Sequence, residues 1–376
     1  MTIRIATFNM ENLFRRPTAF RLENPADREK VLADFAKLVA VLDLPTYSDA
    51  DKAEILRIVK AYRAYEVDDP RHPDPKGPPP IVVNQSRPGK LTGLFETSGP
   101  PKTPHIEITA TGRGSWTGWA ELGQDDLDMS MVRNTGRVVA EVDADILLTV
   151  EVEDRLTLER FNTQVLADAL GRRPYPYNLL IDGNDPRGID IGILSRHPIT
   201  SVRSHLFDTD PDHPADRLFS RDCPEFEIQL DGTPLVILGN HLKSKFRDDP
   251  ELRLAQAKRV AEIYRAAAER TPHVMVAGDL NDDPESEAAA QLLDTGLRDV
   301  MSHPSYHGEP GTHGQCSRLQ DKLDYLLLPP PLWHEVQHVG LETRGIFADG
   351  IKSFDTVTSK LTEASDHAAL YADLDL

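Results

Sequence analysis

Short apolar runs bounded at one end by polar, chemically capable residues recur along this chain and restrict its fold more than any other feature. They are IRIATFN (3–9), DILLTVE (145–151), GIDIGILS (188–195), PLVILGNH (234–241), HVMVAGDLN (273–281), KLDYLLL (322–328) and AALYADL (368–374). Runs of this length suit strands buried on both faces, whereas EFEIQL (225–230) alternates as a half-buried strand does. Amphipathic stretches near 127–142, 154–171, 250–270 and 284–294 predict helices between them. The 250–270 stretch has apolar residues at helical spacing and acids near its start. Alternating strands and helices, with hairpin-like pairs, predict a layered α/β or α+β architecture with mixed or antiparallel sheets.

Residues 15–125 break this rhythm. They hold two helical patterns, about 26–43 and 48–66, then the proline-rich DDPRHPDPKGPPP and the glycine- and tryptophan-rich TATGRGSWTGWAELG. Ser48 followed by Asp51 resembles a helix cap. The segment reads as an insertion or subdomain within one domain spanning 1–376. Its role is an outer cover over the sheet, a substrate-selecting wall or a partner-binding surface. Trp116 and Trp119 either stack bases or pack the insertion.

The chain has 376 residues, 39% hydrophobic and 27% charged, as in an ordinary soluble globular protein. No apolar run approaches the roughly 20 residues that span a bilayer. The first residues read directly as a strand, without the features of a secretory signal. Cys223 and Cys316 form no metal-type spacing. The expectation is a cytoplasmic protein with no membrane span, and no feature marks a protein partner. The net charge of −19 weighs against long-range capture of polyanions, but not against an enzyme whose metal neutralises a phosphate.

The polar residues at the strand ends are Asn9, Glu151, His241, Asp279, Asn281, Asp324, Asp366 and His367. Each alone reads as a turn, cap or structural residue. Together they offer hard oxygen ligands suited to Mg²⁺ or Mn²⁺, with histidines for acid–base work. No closed Cys/His set favours zinc. Asp282, Asp283 and Pro284 are expected to open the next helix.

The ordered series TFNMEN, LTVEVED, RGIDIGILSR, FSRD, GNHLKSK, VAGDLNDDP, DKLDYLLL and SDH resembles the endonuclease/exonuclease/phosphatase superfamily, which includes pancreatic-type deoxyribonucleases. The resemblance covers 3–14 and about 127–374, roughly two thirds of the chain. It implies a four-layer sandwich of two packed mixed β-sheets flanked by helices. The family's first two motifs usually stand a few tens of residues apart, whereas 141 residues separate Asn9 from Glu151 here. Insertions of this kind spare a metal site but often line a cleft.

The resemblance also implies roles. Glu151 is the metal ligand, with Asn9 beside it and Asp366 completing or supporting the shell; the cation is Mg²⁺, with Mn²⁺ as the alternative. His367 pairs with Asp324 and is either general base or phosphate-stabilising cation. Asp279 is the competing base, and the Asn281 amide donates to a phosphate oxygen. His241 is the second catalytic histidine, with Asp190 as orienting partner, and Arg221 reaches the phosphate. Lys243 and Lys245 either add charge near the cleft or are solvated. The expected activity is a divalent-metal-dependent phosphodiesterase, first of all a nuclease acting on DNA or RNA. The alternative is a phosphomonoesterase or a lipid or nucleotide phosphodiesterase. A catalytically silent binding protein is disfavoured because every main motif residue is kept.

Overall fold

Every apolar run named above forms a strand. The computed structural model describes residues 1–376 apart from 14–16, 23, 66–78, 86–92, 101–103, 125–128, 172–173, 186, 211–213, 246–248 and 315–318. Most of DDPRHPDPKGPPP, and Cys316, therefore lie outside the described residues.

The chain divides into two compact units, Met1–Phe14 with Leu127–Leu376, and Arg15–Asp126. The first holds two six-stranded sheets. One runs in the order Val336–Glu342, Ala369–Asp375, Thr2–Leu13, Ile146–Val152, Asp190–Ser195 and Tyr177–Ile181. The other runs Arg298–Asp299, Asp324–Leu328, Val274–Asp279, Thr233–His241, Glu225–Leu230 and Ile199–Arg203. The pairing pattern is the same in both. A single central pair is parallel, Thr2–Leu13 with Ile146–Val152 and Thr233–His241 with Val274–Asp279, and the flanking pairs are antiparallel.

Apolar residues from both sheets, such as Ile5, Leu148 and Ile193 from one and Phe226, Ile237 and Leu326 from the other, form a shared core. The outer face of the first sheet carries Ala6, Phe8 and Leu194 against Val138 and Val142 of helix Met129–Val142 and Phe161 of the following helical segment. The outer face of the second carries Val236, Val276 and Leu327 against Val260 and Tyr264 of helix Pro250–Ala268 and Leu292 of helix Glu287–Leu293. The result is a four-layer α/β sandwich. Fully burying one such aliphatic side chain contributes about 1.5–3 kcal/mol, which explains why the strands are almost wholly apolar.

Two glycines near the ends of the central strands permit close approach, Gly239 between the layers and Gly278 between neighbouring strands of one sheet. A Cβ on Gly239 would stand 2.9 Å from Ile191 and 3.1 Å from Leu148 of the opposite sheet. Gly278 has φ +121°, and a Cβ there would stand 2.0 Å from the Asn240 carbonyl oxygen. We expect Gly278→Ala to cost roughly 3 kcal/mol or more, because strain and backbone collision add. The solvent-facing Gly296→Ala, with φ +93° and nothing within 4 Å, is the strain-only control. Thermal unfolding midpoints compare them, and equal losses at the two positions would contradict this account.

The Arg15–Asp126 unit has helices Pro25–Leu42 and Asp49–Ala61 and two small antiparallel pairs. Ser48 and Asp51 form a reciprocal capping box. Asp34 joins the helices by accepting from Arg57 at 2.6 Å, and Lys30 of its own helix donates to it at 2.9 Å. Trp116 is buried in this unit and donates to the Tyr47 hydroxyl at 2.9 Å, whereas Trp119 is exposed.

One helix start is corrected. Asp282, Asp283 and Pro284 precede the next helix, which begins at Glu287 under a Ser286 cap. The acids serve ion pairs instead, Asp282 with Arg253 at 2.9 Å and Asp283 with Lys245 at 2.5 Å. Among the described residues, no helix is long and apolar enough to cross a membrane.

Candidate active site

The carboxyl ends of the two central parallel pairs carry the chemistry. Register places Asn9 opposite Val150, one residue before Glu151, and His241 opposite Asp279, which in turn faces Asp324. The ladder shifts between Asn9 and Leu13 and between Val150 and Val152. Glu11, Asn12 and Glu151 in these irregular ends have φ of 47°, 59° and 61°, and Asn281 has 52°. Left-handed backbone is uncommon for such residues, and bulges re-aim side chains at strand ends. Here they bring Asn12 to within 3.0 Å of Glu151 Oε2.

Asp279 is the hub. Its Oδ2 accepts from Asn9 at 3.1 Å and its Oδ1 from the Asn281 backbone at 2.7 Å. The same Oδ2 lies 3.9 Å from His241 Nε2 and 4.0 Å from His367 Nε2. His367 Nδ1 lies 2.7 Å from Asp324 Oδ2, which also accepts from Thr312 at 2.7 Å. His241 Nε2 lies 3.7 Å from Glu151 Oε1 and 2.9 Å from an Arg221 nitrogen. Hydrogen bonding assigns the tautomers: Arg221 donates, so His241 Nε2 is the acceptor.

Burial sets the electrostatics. Asp279 is pushed up to about 7 by desolvation and then by the Asp324 charge. Glu151 is raised by burial, with Asp366 adding to the effect and His367 opposing it. Burial also disfavours the His367 cation, but Asp324, Asp279 and Asp366 outweigh it and hold the ring well above the usual imidazole range. His241 is driven well below that range by burial and by Arg221, Arg187 and His367. Two similar side chains therefore differ in charge.

Several expected contacts are different. Asn281 is left-handed rather than extended, and its amide donates to the Leu242 carbonyl at 3.1 Å. Asn9 Oδ1 accepts from the Glu11 backbone at 3.0 Å, so Asn9 ties the strand end to Asp279. Arg221 has a 2% exposed side chain and ends on His241. Asp190 accepts from the Gly183 backbone at 2.7 Å, and among the described residues His241 Nδ1 has no hydrogen-bond partner. Asp190 therefore does not orient His241 in this structure. Lys245 is engaged by Asp283 at 2.5 Å.

The sequence reading also missed residues. His313 Nε2 lies 3.6 Å from Asp366, and its ring centroid is 4.7 Å from that of His367. Arg187 binds Asp185 beside Arg221. A TH dipeptide before DKLDY and an arginine inside RGIDIG were the only local signals.

Among the described residues, two groups of side chains have the spacing to hold a metal ion: His313, Asp366 and His367, and Asp279, Asp324 and His367. Glu151, whose Oε1 lies 3.7 Å from His241 Nε2, adds a hard oxygen donor of the kind a divalent cation takes. Its carboxyl is raised by burial and by the neighbouring Asp366 charge, while its hydrogen-bond donor is the neutral Asn12 amide. A divalent cation there would relieve the mutual repulsion of the two carboxylates.

Asp190 supplies a pH prediction. Burial pushes it up to about 7, so the folded chain keeps a proton that the unfolded chain releases near the ordinary carboxyl value. Stability therefore falls as pH rises between those two values and stays reduced above them. Asp190→Asn keeps the acceptor for Gly183 and removes the charge. We expect its stability relative to wild type to improve by roughly 3 kcal/mol from about pH 4.5 to about pH 8. Parallel curves of melting temperature against pH for the two proteins would refute this.

The profile of the Endonuclease/Exonuclease/phosphatase family matches residues 129–367. Human sphingomyelin phosphodiesterase 2 is 25% identical over 205 residues, which are 50% of this chain and 48% of that protein. The chain thus spans about half the length of this curated relative. Among solved structures, truncated TDP2 of Caenorhabditis elegans is 18% identical, with 66% of this chain and 90% of that one covered at a TM-score of 0.47. A mannosyl-6-phosphatase of Bacteroides thetaiotaomicron is 15% identical, with 65% and 91% covered at a TM-score of 0.48. Because the family profile extends over more than half of its length, the chain belongs to the endonuclease/exonuclease/phosphatase family, whose members hydrolyse phosphoester bonds.

Proposed function

We propose that this protein is a divalent-metal-dependent phosphodiesterase, and that its substrate is a polynucleotide. One observation carries the phosphodiesterase reading. Asp279 Oδ2 faces His241 Nε2 at 3.9 Å and His367 Nε2 at 4.0 Å, with Glu151 3.7 Å from His241 Nε2. These separations are too long for direct hydrogen bonds and leave the acceptors able to take hydrogens from a shared water, and the His367 N–H able to meet a phosphate oxygen.

In this reading Asp279, fixed by Asn9 and the Asn281 backbone, orients the attacking water and takes its proton. His367, paired with the buried Asp324, presents a positive N–H to the phosphoryl oxygens. His241 Nε2 accepts from Arg221 and so seats that guanidinium beside the same oxygens. The water oxygen forms the new bond to phosphorus, the ester oxygen departs, and a proton returns to it. Glu151 and Asp366, with Asn9 beside them, would hold the cation, which when bound neutralises charge on the phosphoryl and leaving oxygens. Mg²⁺ is the proposed ion and Mn²⁺ the alternative.

The second reading is a phosphomonoester, nucleotide or phospholipid substrate. Similarity to human sphingomyelin phosphodiesterase 2 favours it, as does the acidic balance of the chain. The test is turnover of supercoiled plasmid, single-stranded RNA, mononucleotides and sphingomyelin vesicles with Mg²⁺, Mn²⁺ or EDTA. Metal-dependent nicking or RNA cleavage supports the first reading. Inert polynucleotides beside a hydrolysed small ester or lipid replace it with the second, and no turnover on any substrate rejects both.

A further inference from the structure

Arg187 has no part in the roles above. It lies in the loop between strands Tyr177–Ile181 and Asp190–Ser195. Its Nε lies 2.9 Å from Asp185 Oδ1 and its Nη2 lies 2.7 Å from Oδ2. Its backbone N–H returns to the same Oδ1 at 3.0 Å. Arg221 approaches that carboxylate too, 3.7 Å from Oδ2. Two guanidiniums therefore share the Asp185 carboxylate, which does not balance both of them.

The two arginines differ in access. The Arg221 side chain is 2% exposed and committed to His241, whereas that of Arg187 is 26% exposed. Among the described residues, Arg187 Nη1 makes no hydrogen bond. Asp185, which it grips at 2.7 Å, stands 3.7 Å from Arg221, and Arg221 reaches His241 at 2.9 Å, so Arg187 lies beside the site. A planar fork already fixed on one side by a carboxylate loses little freedom when its other side meets an anion.

We infer that Arg187, held by Asp185, is the anion-anchoring residue of this site and binds a phosphate group of the substrate. The inference rests on the phosphoesterase reading and adds the guanidinium that meets the ligand, the position first expected of Arg221. A fork that merely locks its loop would give the same ion pair but would leave anion affinity unchanged.

The test titrates inorganic phosphate into the full chain with Mg²⁺ present, by calorimetry, for wild type, Arg187→Gln, Arg187→Lys and Asp185→Asn. Arg187→Gln is expected to weaken phosphate binding by about 10–100-fold, and Arg187→Lys to recover part of the loss because a point charge replaces a fork. Asp185→Asn is expected to weaken it less, since the charge stays while its placement loosens. With an ester that wild type hydrolyses, the Arg187→Gln loss should appear mainly in KM, a split that a loop lock would not give. Phosphate affinity in Arg187→Gln within about twofold of wild type overturns the inference, as does wild type that binds no phosphate. If Arg187→Gln fails to fold, Arg187→Met, which also removes the charge, decides by the same criterion. Because the titration needs no turnover, Arg187-dependent phosphate binding without hydrolysis of any ester would reject the enzyme reading and keep the anion site.

Discussion

Asp279→Asn is expected to lower phosphoester turnover by roughly 10³-fold or more while the protein stays folded. The carboxylate is almost fully buried and accepts from Asn9 and from the Asn281 backbone. An asparagine can keep the second contact through its carbonyl oxygen but offers Asn9 a donor against a donor. That mismatch costs about 1–3 kcal/mol. Against it, the substitution removes a buried charge that is already repelled by Asp324. The two effects oppose each other, so the melting temperature should move little. Turnover should not recover, because the amide cannot accept a proton from water between the two imidazoles. Rates under saturating metal, with melting curves on the same preparations, check both halves. A variant within tenfold of wild type would remove Asp279 from the base role and leave His367, on the opposite side of the 4.0 Å gap, as the candidate.

What could be read from the sequence follows burial. Of the twelve strands in the two large sheets, the eight inner ones are the runs named from the sequence. The four that were missed, Val336–Glu342, Tyr177–Ile181, Arg298–Asp299 and Ile199–Arg203, are the four sheet edges. An edge strand needs less apolar surface and is often polar by selection against aggregation, so it carries no run to read. Ile199–Arg203 shows this directly, with four of its five residues exposed.

The site divides along a similar line. Asn9, Glu151, His241, Asp279 and Asp324 stand at the ends of buried strands, where a polar residue after an apolar run is conspicuous. His313, Thr312, Asp185 and Arg187 come from loops, and their importance lies in contacts that no spacing encodes. His313 meets His367 across 54 positions, through a β-bridge and a ring contact. The same limit explains Asn281, Asp190 and Arg221. Their presence was legible, but their partners depend on a left-handed turn, on Gly183 and on a buried guanidinium.

Glu151→Gln should abolish the response of this protein to divalent cations. Wild type is expected to melt higher with Mg²⁺ or Mn²⁺ than with EDTA, since an ion that binds the folded chain adds stability as RT ln(1 + [L]/Kd), about 2.7 kcal/mol at a hundredfold excess over Kd. In the metal-free chain the Glu151 carboxyl is held up by burial and by Asp366, so neutralising it relieves repulsion. Its hydrogen bond from Asn12 at 3.0 Å can be kept by the glutamine carbonyl. The variant should therefore melt at or above wild type in EDTA and yet gain little when metal is added. Activity should fall by at least about 10³-fold, because charge neutralisation on the phosphoryl oxygens goes with the cation. The paired melting curves separate this from a general loss of structure. A Glu151→Gln protein that still gains the full wild-type shift with metal would move the cation away from the first sheet. The alternative sites are then the group of Asp279, Asp324 and His367, or that of His313, Asp366 and His367, and Asp366→Asn distinguishes them because only the second includes that carboxylate.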